Sequence, residues 1–283
     1  MPEIAVDASL LAGVPRRWRP APLIRLSFAL HGAGVVALVL LPQWWLAILG
    51  TLAANHLLLS LTVLWPRGKL LGPNLTRLPR AAVQRGEVSI NFDDGPDPQV
   101  TPQVLDLLDR HHAKASFFCV GERAARHPEL VRDIIRRGHS VENHSHRHSP
   151  AFSFYGLLRL RREVEAGQAA LRAITGHAPL FFRAPAGFRS PLLDPVLARC
   201  GLSYTSWTRR GYDSIDRNPA QVLARLTRNL DAGDVLLLHD GGGARTAQDQ
   251  PVVLAVLPAL LEQIAARGLK PVSLPAACAA TTP

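Results

Sequence analysis

Lysine is nearly missing from this 283-residue chain: Lys69, Lys114 and Lys270 are the only three, and the remaining cationic charge is arginine. Charged residues are scarce overall, at 19%, where an ordinary soluble domain carries about a quarter. Mean hydropathy is slightly positive, which points to a membrane-associated part. A net charge of +10 invites a nucleic-acid reading, but no basic stripe with interleaved aromatics is there to carry one, and no nucleic-acid partner is expected. Basic flanks beside a membrane account for the charge more simply, and they favour anionic partners such as phospholipid heads or a lipid pyrophosphate. Cysteine is equally sparse. Cys119, Cys200 and Cys278 are scattered and form no C-x-x-C pair, which excludes a disulfide framework and a cysteine metal site. Cys119, inside the apolar run "ASFFCV", reads as a buried free thiol. No internal repeat and no low-complexity segment occurs; "DGGGAR" at 240–245 is the one glycine cluster.

What is present divides the chain into parts. Residues 1–22 form a basic N-terminal segment with Arg16, Arg17 and Arg19. Residues 23–66 hold two apolar runs, Leu26 to Leu41 and Trp44 to Trp65, joined by "PQ". The first is slightly short for a span; the second is long enough and is framed by Trp44, Trp45 and Trp65, as membrane interfaces favour. Two transmembrane helices in a hairpin are the expectation, with a buried helical pair of a soluble domain as the plain alternative. A cleaved signal peptide fits poorly, because the apolar region is too long. His31, Asn55 and His56 read as contacts between the helices. Arginines precede the hairpin and Arg67, Lys69, Arg77, Arg80 and Arg85 follow it, while the turn has none. The positive-inside rule then puts both termini in the cytoplasm, and the expected location is the cell membrane, multi-pass, with the catalytic domain on its cytoplasmic face. Residues 67–85 read as a basic linker, 86–275 as the folded domain and 276–283 as a tail. "NLT" at Asn74 is a formal glycosylation sequon that reads as chance.

From Arg85 on, short apolar runs alternate with helical periods. Strands are expected at 88–92, 115–120, 139–143, 180–184, 203–207, 234–239 and 270–274. Helices are expected around Val100 to Leu108, around Leu130 to Ile135, and at about 155–174, 191–200, 218–231 and 251–267. Seven strands with intervening helices predict an α/β fold with a parallel sheet, as a barrel or open. Polar groups recur where these strands end: "NFDDGPDP", "NHSHRHS", "RAPAG" and "HDGGG", with "GYDS" shortly after the fifth strand. Barrel enzymes assemble their sites at that rim.

Two of these stretches carry the most chemistry. Adjacent Asp93 and Asp94 before Gly95 and Pro96 read plainly as a helix-capping turn, and functionally as a split pair, with one carboxylate on a metal and the other acting as base. His144, His146 and His148 would share one face of an extended chain; in a helix or turn only His144 and His148 would. Two imidazoles and one carboxylate leave coordination positions open for water and substrate, as a catalytic zinc site requires.

In order, "NFDDG", "HSHRH", "RAPAG" and "LLLH" resemble the motifs of the polysaccharide deacetylase family, the NodB-homology domain of carbohydrate esterase family 4, over roughly Gly86 to Pro275. The resemblance implies a distorted (β/α) barrel of about seven parallel strands. It also implies a metal-dependent hydrolase that removes an N-acetyl or other N-acyl group from an amino sugar of a polysaccharide, glycan precursor or lipid-linked saccharide. A catalytically silent glycan- or metal-binding member is the alternative. By the same resemblance Asp93 is the general base, Arg183 its partner, His239 the general acid and Asp213 the carboxylate behind it. Asp94, His144 and His148 are the metal ligands, for zinc first, with cobalt, nickel or manganese also suited, and His146 is a spacer. Pro185, Ala186, Trp207 and Leu238 would form the substrate wall, with a backbone N–H near Ala186 facing the oxyanion.

Four positions depart from the family pattern. Asn91 replaces a Thr or Ser and is expected to tune the turn. Ala186 and Ser214 stand where aromatics are common and open the sugar site. Arg210 replaces an Asp, so Asp213 rests on a looser match. Arg209, Arg210 and Arg245 are expected near the rim, as solvated surface or as contacts for a phosphate or acidic sugar.

Overall fold

A computed structural model describes residues 13–279. The first twelve residues of the expected basic segment, and residues 280–283 of the expected tail, lie outside the described residues. From residue 13 the segment runs without helix or strand into α1 (Pro22–Leu40), which is followed by a short 3-10 turn and α2 (Trp45–Val63). Both helices are long and apolar enough to cross a membrane by length and composition. The first starts four residues earlier than its apolar run, because Pro22 is tolerated in a first turn, where the missing N–H has no helical partner. Polar groups meet between the two: Asn55 donates to Ser27 Oγ at 2.9 Å, and His31 and His56 lie 3.3 Å apart.

The rest of the chain is built on one curled parallel sheet. Its strands are β1 (Glu87–Asp93), β2 (Ala115–Cys119), β3 (Ser140–Asn143), β4 (Phe181–Phe182), β5 (Ser203–Tyr204), β6 (Arg209–Arg210), β7 (Val235–His239) and β8 (Lys270–Pro271). The spatial order is β5-β4-β3-β2-β1-β7-β6, with β8 pairing the start of β1. Seven strands appear where the sequence predicts them; β6, a two-residue pair of arginines beside β7, does not stand out in the apolar pattern. The helices are α3 (Arg80–Gln84), α4 (Thr101–Arg110), α5 (Gly121–Arg126), α6 (Pro128–Arg136), α7 (Leu157–Thr175), α8 (Leu193–Cys200), α9 (Pro219–Thr227), α10 (Val252–Ala266) and α11 (Leu274–Cys278).

Strand alternation sorts the two faces of the sheet. Val88, Ile90 and Phe92 of β1, Ala115, Phe117 and Cys119 of β2, and Leu236 and Leu238 of β7 join the outer core beneath α4, α6, α9 and α10. The opposite face carries Ser89, Asn91 and Asp93, all buried. Its lower end is filled by Leu78 and Ala82 beside Phe118, Phe181, Val235, Leu274 and Ala277. Leu75, Leu78 and Ala82 are therefore packed against the sheet, and α11 runs across the expected boundary at 275. Asn74 is buried, donating to the Pro66 and Gly68 carbonyls, so its sequon is closed to modification in the folded chain.

Candidate active site

The rim forms where β1, β3, β4 and β7 end. Asp93 is the last residue of β1 and lies in register with His239, the last of β7. The next residue, Asp94, has φ of 71°, in the left-handed region that bulkier L-residues rarely enter. That turn aims the two adjacent carboxylates differently. The turn is held from outside: Arg123 donates to the Asp94 carbonyl, and Thr101 Oγ1 donates to Asp240 Oδ2 at 2.6 Å. Gly95 is required by this packing, since a Cβ there would lie 2.3 Å from Asp240 Oδ2. Burial, with Asp94 and Asp93 nearby, pushes the Asp240 carboxyl up to about 7.

The histidine run leaves β3 and turns at once. Asn143 Oδ1 accepts from the Ser145 N–H at 2.9 Å, and Ser145 Oγ accepts from the His148 N–H at 3.0 Å. Ser145 and His148 both have positive φ. The turn brings His148 back beside His144, with ring centroids 4.8 Å apart. His146 points toward Gly121 of α5, where a Cβ would meet its Nδ1 at 2.6 Å. Of the two geometries open from sequence, the structure therefore has the one that pairs His144 with His148. His139 is separate: its Nδ1 accepts from the Ala115 N–H at 3.2 Å, and burial, with Lys114 and Arg137 nearby, lowers it to about 4.

Asp94, His144 and His148 each offer a ligand atom, and these atoms all lie within 4.8 Å of one another. Asp94 Oδ1 is 2.9 Å from His148 Nε2 and 3.2 Å from His144 Nε2. His144 Nδ1 lies 2.8 Å from the Arg183 carbonyl. A carbonyl can only accept, so Nδ1 carries a proton; Nε2 faces Asp94, and once deprotonated it offers its lone pair there, as metal-ligating histidines do. Burial opposes charge on Asp94, but the two imidazoles outweigh it and hold the carboxyl well below the usual range. Burial opposes charge on His144 too, yet Asp93 and Asp94 outweigh it. The cluster thus attracts positive charge, and its donor set fits a divalent metal.

Arg183 is fully buried and reaches from the end of β4 to Asp93, Nη1 to Oδ1, at 2.6 Å. Its Nη2 donates to Asn91 Oδ1 at 2.9 Å and to the Ser206 carbonyl at 3.0 Å, and the guanidinium lies over the Phe118 ring. Asn91 sits inside β1, within the strand expected at 88–92, and rather than tuning the turn it helps hold the arginine that holds Asp93. On the far side Asp213 accepts twice from His239, from Nδ1 at 2.9 Å and from the backbone N–H at 2.8 Å. Burial works against a charged His239, but Asp213, with Asp93 and Asp94 behind it, raises it above the ordinary histidine range.

These groups open on a cavity of about 190 Å³ lined by Asp93, Asp94, His144, His148, His239, Ala186, Gly187, Trp207, Arg210, Ser214 and Leu237. Ala186 and Trp207 line it; Pro185 is buried and does not. Leu238 belongs to the outer core, and Leu237 takes the wall position, because alternate strand residues face opposite ways and His239 faces the cavity. Gly187, missed in the sequence, has φ of 78°, and a Cβ there would lie 2.4 Å from the Trp207 ring. Of the rim arginines only Arg210 lines the cavity; Arg209 pairs with Asp234 and Arg245 with Asp249.

Known proteins resemble this chain in sequence and fold. The family model described as polysaccharide deacetylase matches residues 80–205. A peptidoglycan-N-acetylglucosamine deacetylase of Bacillus cereus is 34% identical over 178 residues, covering 62% of this chain and 82% of the relative. A chitooligosaccharide deacetylase of a Bradyrhizobium species is 36% identical over 177 residues, covering 58% and 78%. Among solved structures, a family 4 carbohydrate esterase from Streptomyces lividans in complex with acetate superposes with a TM-score of 0.59 at 30% identity, over 66% of this chain and 91% of that one. The chain belongs to the polysaccharide deacetylase family, the NodB-homology class of carbohydrate esterase family 4. It is in this sense a hydrolytic carbohydrate N-deacetylase by family.

Proposed function

We propose that the protein is a membrane-anchored, metal-dependent hydrolase that removes an N-acetyl, or other N-acyl, group from an amino sugar of a polysaccharide, a glycan precursor or a lipid-linked saccharide. The observation that carries this reading is the pair Asp93 and His239, in register on adjacent strands and facing one cavity from opposite electrostatic settings. Asp93 is held against the Arg183 guanidinium, which fixes the direction of its carboxylate. His239 is backed by Asp213 and holds its proton more tightly than an ordinary histidine. Groups in opposed protonation states flanking one carbonyl are what acid–base hydrolysis needs.

In this account Asp94, His144 and His148 hold the ion, zinc first, with cobalt, nickel or manganese also suited to two imidazoles and a carboxylate. When bound, the ion polarises the acyl carbonyl and acidifies water. Asp93 takes the proton of the attacking water, and Arg183 and Asn91 keep its carboxylate aimed. A backbone N–H near Ala186, where φ is 57°, faces the developing oxyanion. His239 gives its proton to the leaving nitrogen, and Asp213 fixes its tautomer. Trp207 and Leu237 supply apolar surface for the sugar ring. Relatives named for peptidoglycan N-acetylglucosamine and chitooligosaccharides support a substrate of the N-acetylglucosamine kind.

Residues 23–66 serve as the anchor and residues 86–275 as the catalytic domain. Exposed Leu40, Leu46, Leu57 and Leu61 on the two helices support burial in lipid, and the arginine placement supports a cytoplasmic catalytic face. Protease added to intact spheroplasts should leave the domain uncut; digestion without lysis would reverse the topology. The reaction itself is tested by acetate release from N-acetylated oligosaccharides by the purified full chain, with and without chelator. Metal-dependent release is expected. No release from any N-acetylated sugar, lipid-linked ones included, would leave a catalytically silent glycan- or metal-binding protein.

A further inference from the structure

We infer that Arg210 and Arg67 form a binding site for a phosphate attached to the amino sugar, so that the substrate is a glycosyl phosphate. The inference rests on the deacetylase reading and specifies its substrate class.

Arg210 stands in the wall between two cavities. One is the catalytic cavity; the other, about 360 Å³, is lined by Trp65, Pro66, Arg67, Trp207, Tyr212 and Arg225 among others. The other arginines beside it are occupied. Arg209 takes Asp234 and the Arg228 and Asn229 carbonyls, and Arg225 takes Asp216 at 2.6 Å. Arg210 differs: its Nε is buried without a hydrogen-bond partner, and among the described residues no carboxylate pairs with it. Arg67 reaches only the Thr208 carbonyl, at 3.3 Å. Partly buried Arg210, with its unpaired Nε, and exposed Arg67 thus turn two cations without anions toward one cavity, an arrangement that favours an anionic ligand.

The guanidinium of Arg210 is also positioned. It lies 5.2 Å from the Trp207 ring centroid and 4.9 Å from that of Tyr212, contacts that fix its plane without consuming its donors. A planar fork plus a second cation matches the several oxygens of a phosphate. The place fits as well. The second cavity begins at Trp65 and Pro66, immediately after α2, and a Cβ on Gly187 would meet both Trp207, at 2.4 Å, and Pro66, at 3.2 Å. The exit of the apolar hairpin is therefore packed against the catalytic wall. A sugar in the catalytic cavity would place its phosphate at Arg210 and anything beyond the phosphate toward the hairpin.

The test is binding by the zinc-loaded full chain in detergent, measured by calorimetry with N-acetylglucosamine and with N-acetylglucosamine 1-phosphate. The phosphate form should bind at least tenfold more tightly. Arg210→Ala should erase that preference and Arg210→Lys should keep part of it, with unchanged melting temperatures. A third ligand, N-acetylglucosamine joined through phosphate to a polyprenol in micelles, separates the sources: tighter binding assigns a lipid-linked substrate, equal binding a soluble sugar phosphate. Equal wild-type affinity with and without phosphate, or a preference that survives Arg210→Ala, overturns the inference. Acetate release from an uncharged chitooligosaccharide in that event leaves the deacetylase reading standing. Phosphate-selective binding without acetate release from any of the ligands would fault the reading instead.

Discussion

The two walls of the catalytic cavity are built on opposite terms. On the side of β1, β3 and β4, polar groups are spent on one another: Arg183 holds Asp93, Asn91 holds Arg183, the Arg183 carbonyl holds His144, and Arg123 and Asp240 lock the turn at Asp94. On the side of β6 and β7 only His239 and Asp213 are tied in this way; Ser214 is small, and Arg210 carries an unmatched charge. A wall whose groups satisfy each other fixes the reacting atoms. A wall that leaves space and charge unspent is the side that selects a ligand. The contrast predicts that damage to the first wall costs stability and chemistry together, while damage to the second costs rate or selectivity with the fold intact.

Arg183→Met should break the closed wall most severely. It leaves the Asp93 carboxylate buried without its partner, a loss of about 3–5 kcal/mol, measurable as a lower urea midpoint, and turnover should vanish with it. His239→Ala should lower kcat by about 10²–10⁴ and destabilise less than Arg183→Met, because Asp213 keeps the backbone N–H of residue 239; equal destabilisation by both variants would erase the contrast. Outside both walls, His139 provides a control. Its folded value of about 4 lies below the ordinary 6.5, so both states are neutral above pH 6.5 and only the unfolded state takes up the proton as pH falls toward 4. Stability should therefore drop by up to about 3 kcal/mol across that window, and His139→Asn should flatten the slope. The smallest effect is expected at Asp213→Asn. A drop of about 10–100-fold in kcat should come with a shift of the alkaline limb to lower pH, because Asp213 raises His239 and the acid must stay protonated to work. An alkaline limb that stays put would separate Asp213 from the acid's titration.

The closed wall was also the more legible in sequence. Its residues follow apolar runs directly and sit in compact motifs, so strand ends and chemistry coincide at Asp93, Asp94, His144 and Arg183. Asn91 falls in its expected strand, and the period of two in Ser89, Asn91 and Asp93 marks one polar, inward face, but its contact with Arg183 crosses the sheet and no local spacing shows it. The open wall gave weaker signals. In "LLLH" both faces of β7 are buried, so hydrophobicity does not distinguish Leu237 from Leu238, and only counting two residues back from His239 does. β6 is two arginines long, and no apolar pattern marks so short an edge strand. Helix α5, "GERAAR", is too short for a helical period to be seen. The unmatched charge of Arg210 depends on which carboxylates its neighbours have already taken, which only the folded chain reveals.

The central claim is a division of labour between two adjacent carboxylates, Asp94 for the metal and Asp93 for the proton. Zinc titration and turnover of the Asp93→Asn and His148→Ala variants, side by side, test it most directly. Asp93→Asn should bind one zinc with near wild-type affinity and lose about 10³-fold or more in kcat, while His148→Ala should lose the metal itself. Near-full turnover by Asp93→Asn, or retained zinc affinity in His148→Ala, would contradict the account.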